Sequence, residues 1–194
     1  NEEEDYMIIP NLKSDGWNQK IVVGFSGAIA SGKTTASKLL ESHGFKYVRF
    51  SMVLESLLQE RGLKPNRENL QKIGAEVNQQ YGQRWLCQKL VEKVSTEEKI
   101  VVDGLRFPED HAFFVERFGK SFIHIQIHLD EEIRRKRYIE RGGTEQEFIE
   151  ASNRPTEAKL DWIESLAHKV IVNKEDSEAL FSEIKQVVKY REKT

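Results

Sequence analysis

The chain is poor in cysteine: Cys87 is the only one among 194 residues, so no internal disulfide can form. A reducing compartment is therefore the default, and we expect a cytoplasmic protein. No apolar run approaches the roughly 18 residues that cross a membrane, and we find no signal-peptide pattern. These absences argue against a disulfide-stapled secreted domain, and we expect no membrane partner.

An excess of charge of one sign is also missing. The 30 basic and 32 acidic side chains leave a net charge of −2, which gives no reason to expect a nucleic-acid or membrane surface. Internal repeats and low-complexity segments are absent. Hydrophobic residues make up 38% of the chain, which is enough for a core, and the length suits one α/β domain with a modest insertion.

Residues 27–34 read G-A-I-A-S-G-K-T, which matches the phosphate-binding loop pattern G-x-x-x-x-G-K-T. The apolar run at 21–25 is typical of a buried parallel strand, and residues 35–40 carry their apolar side chains at helical spacing. Strand, glycine loop and helix is the order that such a loop requires. Its glycines let consecutive N–H groups point into one concavity, and the helix adds the positive end of its dipole.

This pattern assigns candidate ligands. Lys33 is expected to reach the β- and γ-phosphates of a nucleotide, and the Thr34 hydroxyl is expected to ligate magnesium. A glycine-rich turn with an incidental lysine is the alternative, and the flanking strand and helix disfavour it. The loop residues expected to bind ATP are Gly27, Ala28, Ile29, Ala30, Ser31, Gly32, Lys33, Thr34 and Thr35.

Further β-type runs occur at 45–50, 99–104, 122–129 and 169–172, with helical patterns between them. Strands that alternate with helices predict a five-stranded parallel sheet with helices on both faces. Ligands of such sheets bind beyond the carboxyl ends of the strands. The glycine loop, Asp103-Gly104 and Asn173 all fall at such ends, so we expect them to converge.

Residues 51–97 predict about three helices, which is more than a simple crossover between two strands needs. Ser51 is predicted to cap the first of these helices and Asn66 the second. Residues 1–20 begin with an acidic run and are interpreted as an N-terminal extension or linker. The chain is therefore divided into residues 1–20 and a domain at 21–194.

From residue 21 to about residue 190 the chain resembles the nucleoside-monophosphate-kinase-like branch of P-loop proteins, and above all the dephospho-CoA-kinase-related and adenylate-kinase-related small kinases. The stretches that carry the resemblance are 27–34, V-D-G-L-R at 102–106, the arginine-rich 134–141 and V-I-V-N at 170–173. It implies a three-layer αβα P-loop NTPase fold and a Mg²⁺-ATP-dependent kinase. The implied partners are ATP and a small phosphorylated acceptor, expected to be a (deoxy)nucleoside monophosphate, with the protein as a monomer or homodimer.

The resemblance also assigns roles outside the loop. Residues 51–97 become an acceptor-binding insertion, and residues of about 134–154 a short lid whose arginines neutralise the transferring phosphoryl group. Arg134, Arg137 and Arg141 are spaced three and four residues apart, on one helix face. The implied sets are Lys33, Asp103, Arg137 and Arg141 for catalysis, Thr34 and Asp103 for the metal, Ser51 and Arg106 for the acceptor, and Arg134 and Asn173 beside the loop for ATP.

Two departures from the family pattern concern the acceptor. The helix after the second strand lacks the arginine that adenylate-kinase-like enzymes often use there, and the strand ends V-R-F-S without the aspartate of dephospho-CoA kinases. A phosphate oxygen is favoured as acceptor atom, because it is largely deprotonated near neutral pH, whereas a hydroxyl profits from a carboxylate base. Hydroxyl phosphorylation with Asp103 or Glu55 as base stays open, as does a nucleotide-binding regulatory module with little transfer activity.

Other patterns have plainer interpretations. N-K-E-D at 173–176 matches the guanine-specificity pattern of GTPases, but the D-x-x-G switch is missing at the third strand, and a polar turn is favoured. His124 and His128 lie on a predicted strand and are not expected to bind zinc. Cys87 is predicted to be a buried apolar residue rather than a nucleophile. Arg106 has the alternative of a surface pair with Glu109 or Asp110.

Overall fold

The computed structural model describes residues 20–193, and within them one five-stranded parallel sheet has the order β2-β3-β1-β4-β5. Its strands are β1 (Ile21–Ser26), β2 (Lys46–Arg49), β3 (Lys99–Asp103), β4 (Phe122–His128) and β5 (Lys169–Val172). Every residue of the central strand β1 is buried, as expected for a strand covered on both faces. The predicted sheet is confirmed, whereas residues 1–19 of the predicted N-terminal extension lie outside the described residues.

Helices cover both faces of this sheet. They are α1 (Lys33–Ser42), α2 (Phe50–Glu60), α3 (Arg67–Gln80), α4 (Gln83–Lys93), α5 (Pro108–Phe118), α6 (Glu131–Glu140), α7 (Glu145–Ser152), α8 (Leu160–Leu166) and α9 (Ser177–Lys193), with 3₁₀ turns at Gly119–Ser121 and Pro155–Glu157. No helix within residues 20–193 is long and apolar enough to span a bilayer.

Successive side chains of the inner strands point to opposite faces of the sheet, and each face packs into its own hydrophobic core. Val22 and Val102 point to one face and pack with apolar residues of α2, α3, α4 and α5. Val23 and Val101 point to the other face and pack with α1 and α9. All four valines are fully buried, so the sheet is the middle layer of a three-layer αβα fold.

The region after β2 differs in detail from the prediction. The strand ends at Arg49 and α2 begins at Phe50, so Ser51 lies inside the helix. The predicted Ser51 cap is wrong, because its Oγ accepts a hydrogen bond of 2.7 Å from Arg49 Nε instead. The Asn66 cap is confirmed, since the Asn69 N–H donates to Asn66 Oδ1 at 2.8 Å. Residues 51–97 do form the three predicted helices, α2, α3 and α4.

Candidate active site

The loop between β1 and α1 depends on two glycines. Gly32 has φ +103°, a left-handed conformation that side chains disfavour, and a Cβ there would collide with the Asn173 amide. A Cβ at Gly27 would stand 2.6 Å from the backbone oxygen of Ile127. A side chain at either position would therefore collide with a neighbouring strand or side chain, so both positions need glycine.

Asn173, just after β5, braces the loop. Its side chain is buried, and Nδ2 donates to the Ser31 carbonyl at 2.9 Å while Oδ1 accepts the Glu175 N–H at 2.8 Å. Asp176 accepts the Glu178 N–H at 2.9 Å and thus serves the start of α9. The N-K-E-D stretch therefore forms the polar turn that was favoured, and the contact of Asn173 with adenine stays a prediction.

Lys33, the first residue of α1, lies among several charges. Burial lowers its pKa, and the cation Arg106 lowers it further, whereas Glu157 and Asp103 act in the opposite direction and Arg134 again lowers it. Three cations and two carboxylates thus converge at the amino end of α1. The surplus of positive charge favours a polyanionic ligand here.

Asp103, the last residue of β3, stands beside the loop. Its Oδ2 accepts hydrogen bonds from Thr34 Oγ1 at 3.0 Å and from the Tyr47 phenol at 2.5 Å. Burial and the bond to Asp103 raise the pKa of Tyr47 to about 12, so the phenol keeps its proton and remains a donor. Within residues 20–193 nothing donates to Oδ1, which stays available for a further partner.

These oxygens fit a magnesium ion. A hydroxyl and a carboxylate are the hard ligands that Mg²⁺ takes in small number, because it keeps waters and substrate phosphates for its other positions. The described residues hold no cluster of three or more His, Cys, Asp or Glu that could bind a metal. The site therefore suits a metal that arrives with a nucleotide rather than one held by protein ligands alone.

The arginines of α6 divide into two kinds. Arg134 donates to the Leu129 carbonyl at 2.9 Å and to the Ile29 carbonyl of the loop at 3.3 Å. Arg137 reaches the same loop, since its Nη1 lies 3.7 Å from where a Cβ on Gly32 would stand. Arg141 follows the last residue of the helix and is exposed, and within residues 20–193 its side chain forms no hydrogen bond or ion pair. The structure thus shows contacts of Arg134 and Arg137 with the loop, whereas the catalytic role of Arg141 stays a prediction.

Two polar atoms at the loop are buried without a partner among the described residues. They are the Ser31 hydroxyl and Nη1 of Arg137, whose Nε is 3.8 Å from Glu175. An unsatisfied buried donor costs about 1–3 kcal/mol, and more if it is charged. Such a cost beside a phosphate-binding loop indicates a place for a ligand.

Arg106, which the sequence analysis predicted to bind the acceptor, lies just after β3. None of the ion pairs among the described residues includes Arg106, so the alternative of pairing with Glu109 or Asp110 is wrong. Asp110 instead accepts the backbone N–H groups of Arg106 at 2.9 Å and Phe107 at 3.0 Å, at the start of α5. This cap leaves the Arg106 guanidinium available for a ligand.

Sequence reasoning missed three residues of the site. Glu157 accepts the Ile29 N–H at 2.7 Å, and no periodicity marks the short turn on which it lies. Tyr47 positions Asp103, and Arg49 donates to Glu55 at 3.3 Å. Tyr47 and Arg49 lie at or near the carboxyl end of β2, the edge where ligands of parallel sheets bind. This position in the sequence could have identified them as site residues.

Two sequence candidates take structural roles. Cys87 is fully buried, and burial raises the pKa of its thiol, so it is not a poised nucleophile. His124 is fully buried within hydrogen-bonding distance of Ser26, at 2.6 Å, and belongs to no metal cluster of the described region.

Comparisons with known proteins bear on the fold and the family of this chain. A UPF0200 protein of Methanosarcina mazei is 28% identical over 144 residues, which cover 73% of this chain and 77% of that protein. A solved shikimate kinase from Bacteroides thetaiotaomicron aligns with a TM-score of 0.55 and 14% identity over 87% of this chain and 98% of its own. A gluconokinase from Sinorhizobium meliloti aligns with a TM-score of 0.55 and 14% identity over 89% of this chain and 93% of its own.

At such identities the solved structures show the fold alone. The P-loop kinase-like fold is confirmed, whereas the finer resemblance to dephospho-CoA-kinase-related and adenylate-kinase-related enzymes stays a prediction. A family model described as an AAA domain matches residues 26–152, from the end of β1 to the end of α7. Since that match spans more than half of the sequence, the chain belongs to the AAA domain family.

Proposed function

We propose that the protein is a phosphotransferase that uses Mg²⁺-ATP and moves the γ-phosphoryl group to a small acceptor that itself carries a phosphate. The preferred acceptor is a (deoxy)nucleoside monophosphate. The observation that carries this proposal is the buried Nη1 of Arg137, which has no partner among the described residues and lies beside the loop. A phosphoryl oxygen would supply the missing acceptor.

On the donor side, the loop and its surroundings bind and orient the polyphosphate. The N–H groups of the loop would donate hydrogen bonds to the phosphate oxygens. The ammonium of Lys33, together with Arg106 and Arg134, would supply positive charge at the start of α1. Arg137 adds a further cation where negative charge spreads during transfer. Catalysis of this kind consists of positioning and charge neutralisation rather than covalent chemistry.

The metal would be held by Thr34 and Asp103, whose oxygens are 3.0 Å apart. A bound magnesium ion supplies neutralisation of the charge on the β- and γ-phosphate oxygens. Tyr47 holds Oδ2 of Asp103 at 2.5 Å, so the carboxylate keeps one orientation.

On the acceptor side, the available charge is positive. Arg106 has no ion-pair partner within residues 20–193. Its guanidinium can hold a phosphate in a forked geometry. Glu55, the candidate base, is engaged by Arg49 at 3.3 Å, and Oδ2 of Asp103 already accepts two hydrogen bonds. These contacts disfavour proton removal from a hydroxyl and support an acceptor that is already ionised.

The experiment is an acceptor screen with labelled ATP and magnesium. One set contains ribo- and deoxynucleoside monophosphates, and the other contains dephospho-CoA and free nucleosides. We expect turnover in the first set, and none with Lys33→Ala. Turnover confined to the second set would replace the phosphate acceptor by a hydroxyl, and nucleotide binding without any turnover would favour a regulatory module.

A further inference from the structure

We propose that the Glu157 carboxylate occupies the phosphate-binding loop when no nucleotide is present, and that the phosphates of an incoming nucleotide must displace it. The inference rests on the proposed function, because it concerns the same loop. It makes Glu157 a residue of this chain that weakens nucleotide binding and ties it to the movement of the segment that precedes Glu157.

The first observation is a hydrogen bond to the loop itself. Oε1 of Glu157 accepts the backbone N–H of Ile29 at 2.7 Å, although the two residues are 128 positions apart in the chain. This length is typical of a charge-assisted bond between an N–H and a carboxylate. Ile29 is the third residue of the loop pattern, so a protein carboxylate occupies one of the donors that the loop offers to anions.

The second observation is electrostatic. Glu157 is the carboxylate with the largest effect on Lys33, larger than that of Asp103, and it opposes the lowering of the Lys33 pKa by burial. The same carboxylate therefore lies close to both the loop N–H and the loop lysine. A phosphate group bound by these two donors would meet the negative charge of Glu157, and like charges repel in so small a space.

The third observation is where Glu157 lies in the chain. It ends the 3₁₀ turn Pro155–Glu157, directly after the segment of residues 134–154 that we propose as a lid. Arg134, at the other end of that segment, donates to the Ile29 carbonyl at 3.3 Å. Both ends of the segment thus hold the backbone of one loop residue, Ile29.

These contacts give displacement a structural consequence. When phosphate replaces the Glu157 carboxylate at the Ile29 N–H, the segment loses its anchor at the carboxyl end but keeps the Arg134 anchor at the amino end. The turn that carries Glu157 is then free to move away from the loop, while Arg134 and Arg137 stay beside it. Nucleotide binding and the position of the segment are therefore linked through one carboxylate.

The test compares nucleotide affinity between charge-matched variants of the full chain. Glu157→Gln keeps the size of the side chain and an acceptor oxygen but removes the charge, and Glu157→Ala removes both. Glu164→Gln, seven residues further along the chain on α8, removes one charge, and no hydrogen bond or ion pair joins Glu164 to the loop within residues 20–193, so it serves as control. Dissociation constants for Mg²⁺-ADP and for a non-hydrolysable ATP analogue are measured by calorimetry, after thermal denaturation has shown that each variant is folded.

We expect both Glu157 variants to bind nucleotide about tenfold more tightly, as follows if the wild-type loop is free of the carboxylate roughly one tenth of the time. The control should stay within about twofold of wild type. If wild type binds nucleotide and both Glu157 variants bind equally or more weakly, the inference is wrong and the proposed function stands. If no form of the chain binds nucleotide, the proposed function fails and the inference fails with it.

Discussion

Two buried polar clusters contain the serines that precede and follow Gly27 in the chain, Ser26 and Ser31. They differ in how many of their hydrogen-bonding groups have partners. Before Gly27, the Ser26 hydroxyl donates to the Gln126 side chain and is 2.6 Å from Nε2 of His124. Nδ1 of His124 is in turn 2.9 Å from Nδ1 of His111. After Gly27, the Ser31 hydroxyl and Nη1 of Arg137 are buried without partners among the described residues.

The difference separates a structural cluster from a binding site. Because the Ser26 proton goes to Gln126, Nε2 of His124 must donate to Ser26, which leaves its Nδ1 to accept from His111. Every member of that chain is used, and it can hold β1 against β4 without a ligand. The cluster after Gly27 has donors to spare, and a ligand with acceptor oxygens would complete it.

The largest expected effect comes from a change in the phosphate-binding loop. Lys33→Ala should lower phosphoryl transfer by about a thousandfold or more, because the ammonium faces the phosphates and not the core. The unfolding transition should be unchanged within about 0.5 kcal/mol. Steady-state transfer assays and urea unfolding measure the two quantities. A purified variant that turns over acceptor at the wild-type rate would contradict the assignment of the loop.

The second largest effect is expected for Arg137→Ala, which should lower turnover about a hundredfold. The change removes one hydrogen-bond donor that would stabilise the negative charge developing during phosphoryl transfer. Its stability should be unchanged or slightly higher, because an unpartnered buried group is removed. Arg135→Ala is the matched control: Arg135 lies on the same helix, is exposed and pairs with Glu145 at 2.8 Å. Equal turnover of the two variants would show that the unpartnered nitrogen has no role in transfer.

The sequence predicted what depends on near neighbours. The loop at 27–34, the five strands and the Asn66 cap all follow from local patterns, and the structure agrees. The Ser51 cap was wrong because the Arg49 guanidinium donates to the same hydroxyl. The spacing of residues in the sequence does not show this competing contact. Arg141 directly follows α6, and its N–H still donates to the Arg137 carbonyl at 3.1 Å, so the predicted helical spacing extends to it while its role at the phosphates stays a prediction.

The convergence of the loop, Asp103 and Asn173 was predicted, but the individual contacts between distant positions were not. Asn173 braces Ser31 across 142 residues, and Glu157 meets Ile29 across 128. Asn173 lies at the carboxyl end of a strand and Glu157 on a 3₁₀ turn between two helices, and a single sequence does not show which atoms pair across such distances. The charge balance of the site, and which of its donors remain unpartnered, depend on these pairs.

A third prediction concerns the satisfied cluster. Burial lowers the pKa of His124 from 6.5 to about 3, with the neighbouring His111 and His168 acting in the same direction. Below pH 6.5 the unfolded chain therefore takes up a proton that the folded chain refuses, so stability falls as the pH falls. His124 alone should cost about 1.6 kcal/mol of unfolding free energy between pH 6.5 and about 5.

Urea unfolding at several pH values between 7 and about 5 gives the slope. His124→Gln should remove about one proton from the pH dependence, even if it lowers stability at pH 7, because glutamine does not titrate. His43→Gln, an exposed histidine that stacks on Phe181, serves as control. Identical slopes for wild type and His124→Gln would mean that His124 is charged in the folded protein.

The smallest effect tests the comparison most directly, because it makes the same change on both sides of Gly27. Ser26→Ala removes a hydroxyl that has two partners and strands Nε2 of His124 and the Gln126 oxygen in a buried place, so we expect a loss of about 1–3 kcal/mol in unfolding free energy. Ser31→Ala removes a buried hydroxyl without a partner among residues 20–193, and we expect no loss beyond about 0.5 kcal/mol. In nucleotide affinity the order should reverse, with Ser31→Ala the weaker binder and Ser26→Ala close to wild type. Because both changes delete one oxygen beside the same strand, equal losses of stability would show that the two clusters do not differ in kind, and the argument that unpartnered groups mark the ligand would fail with them.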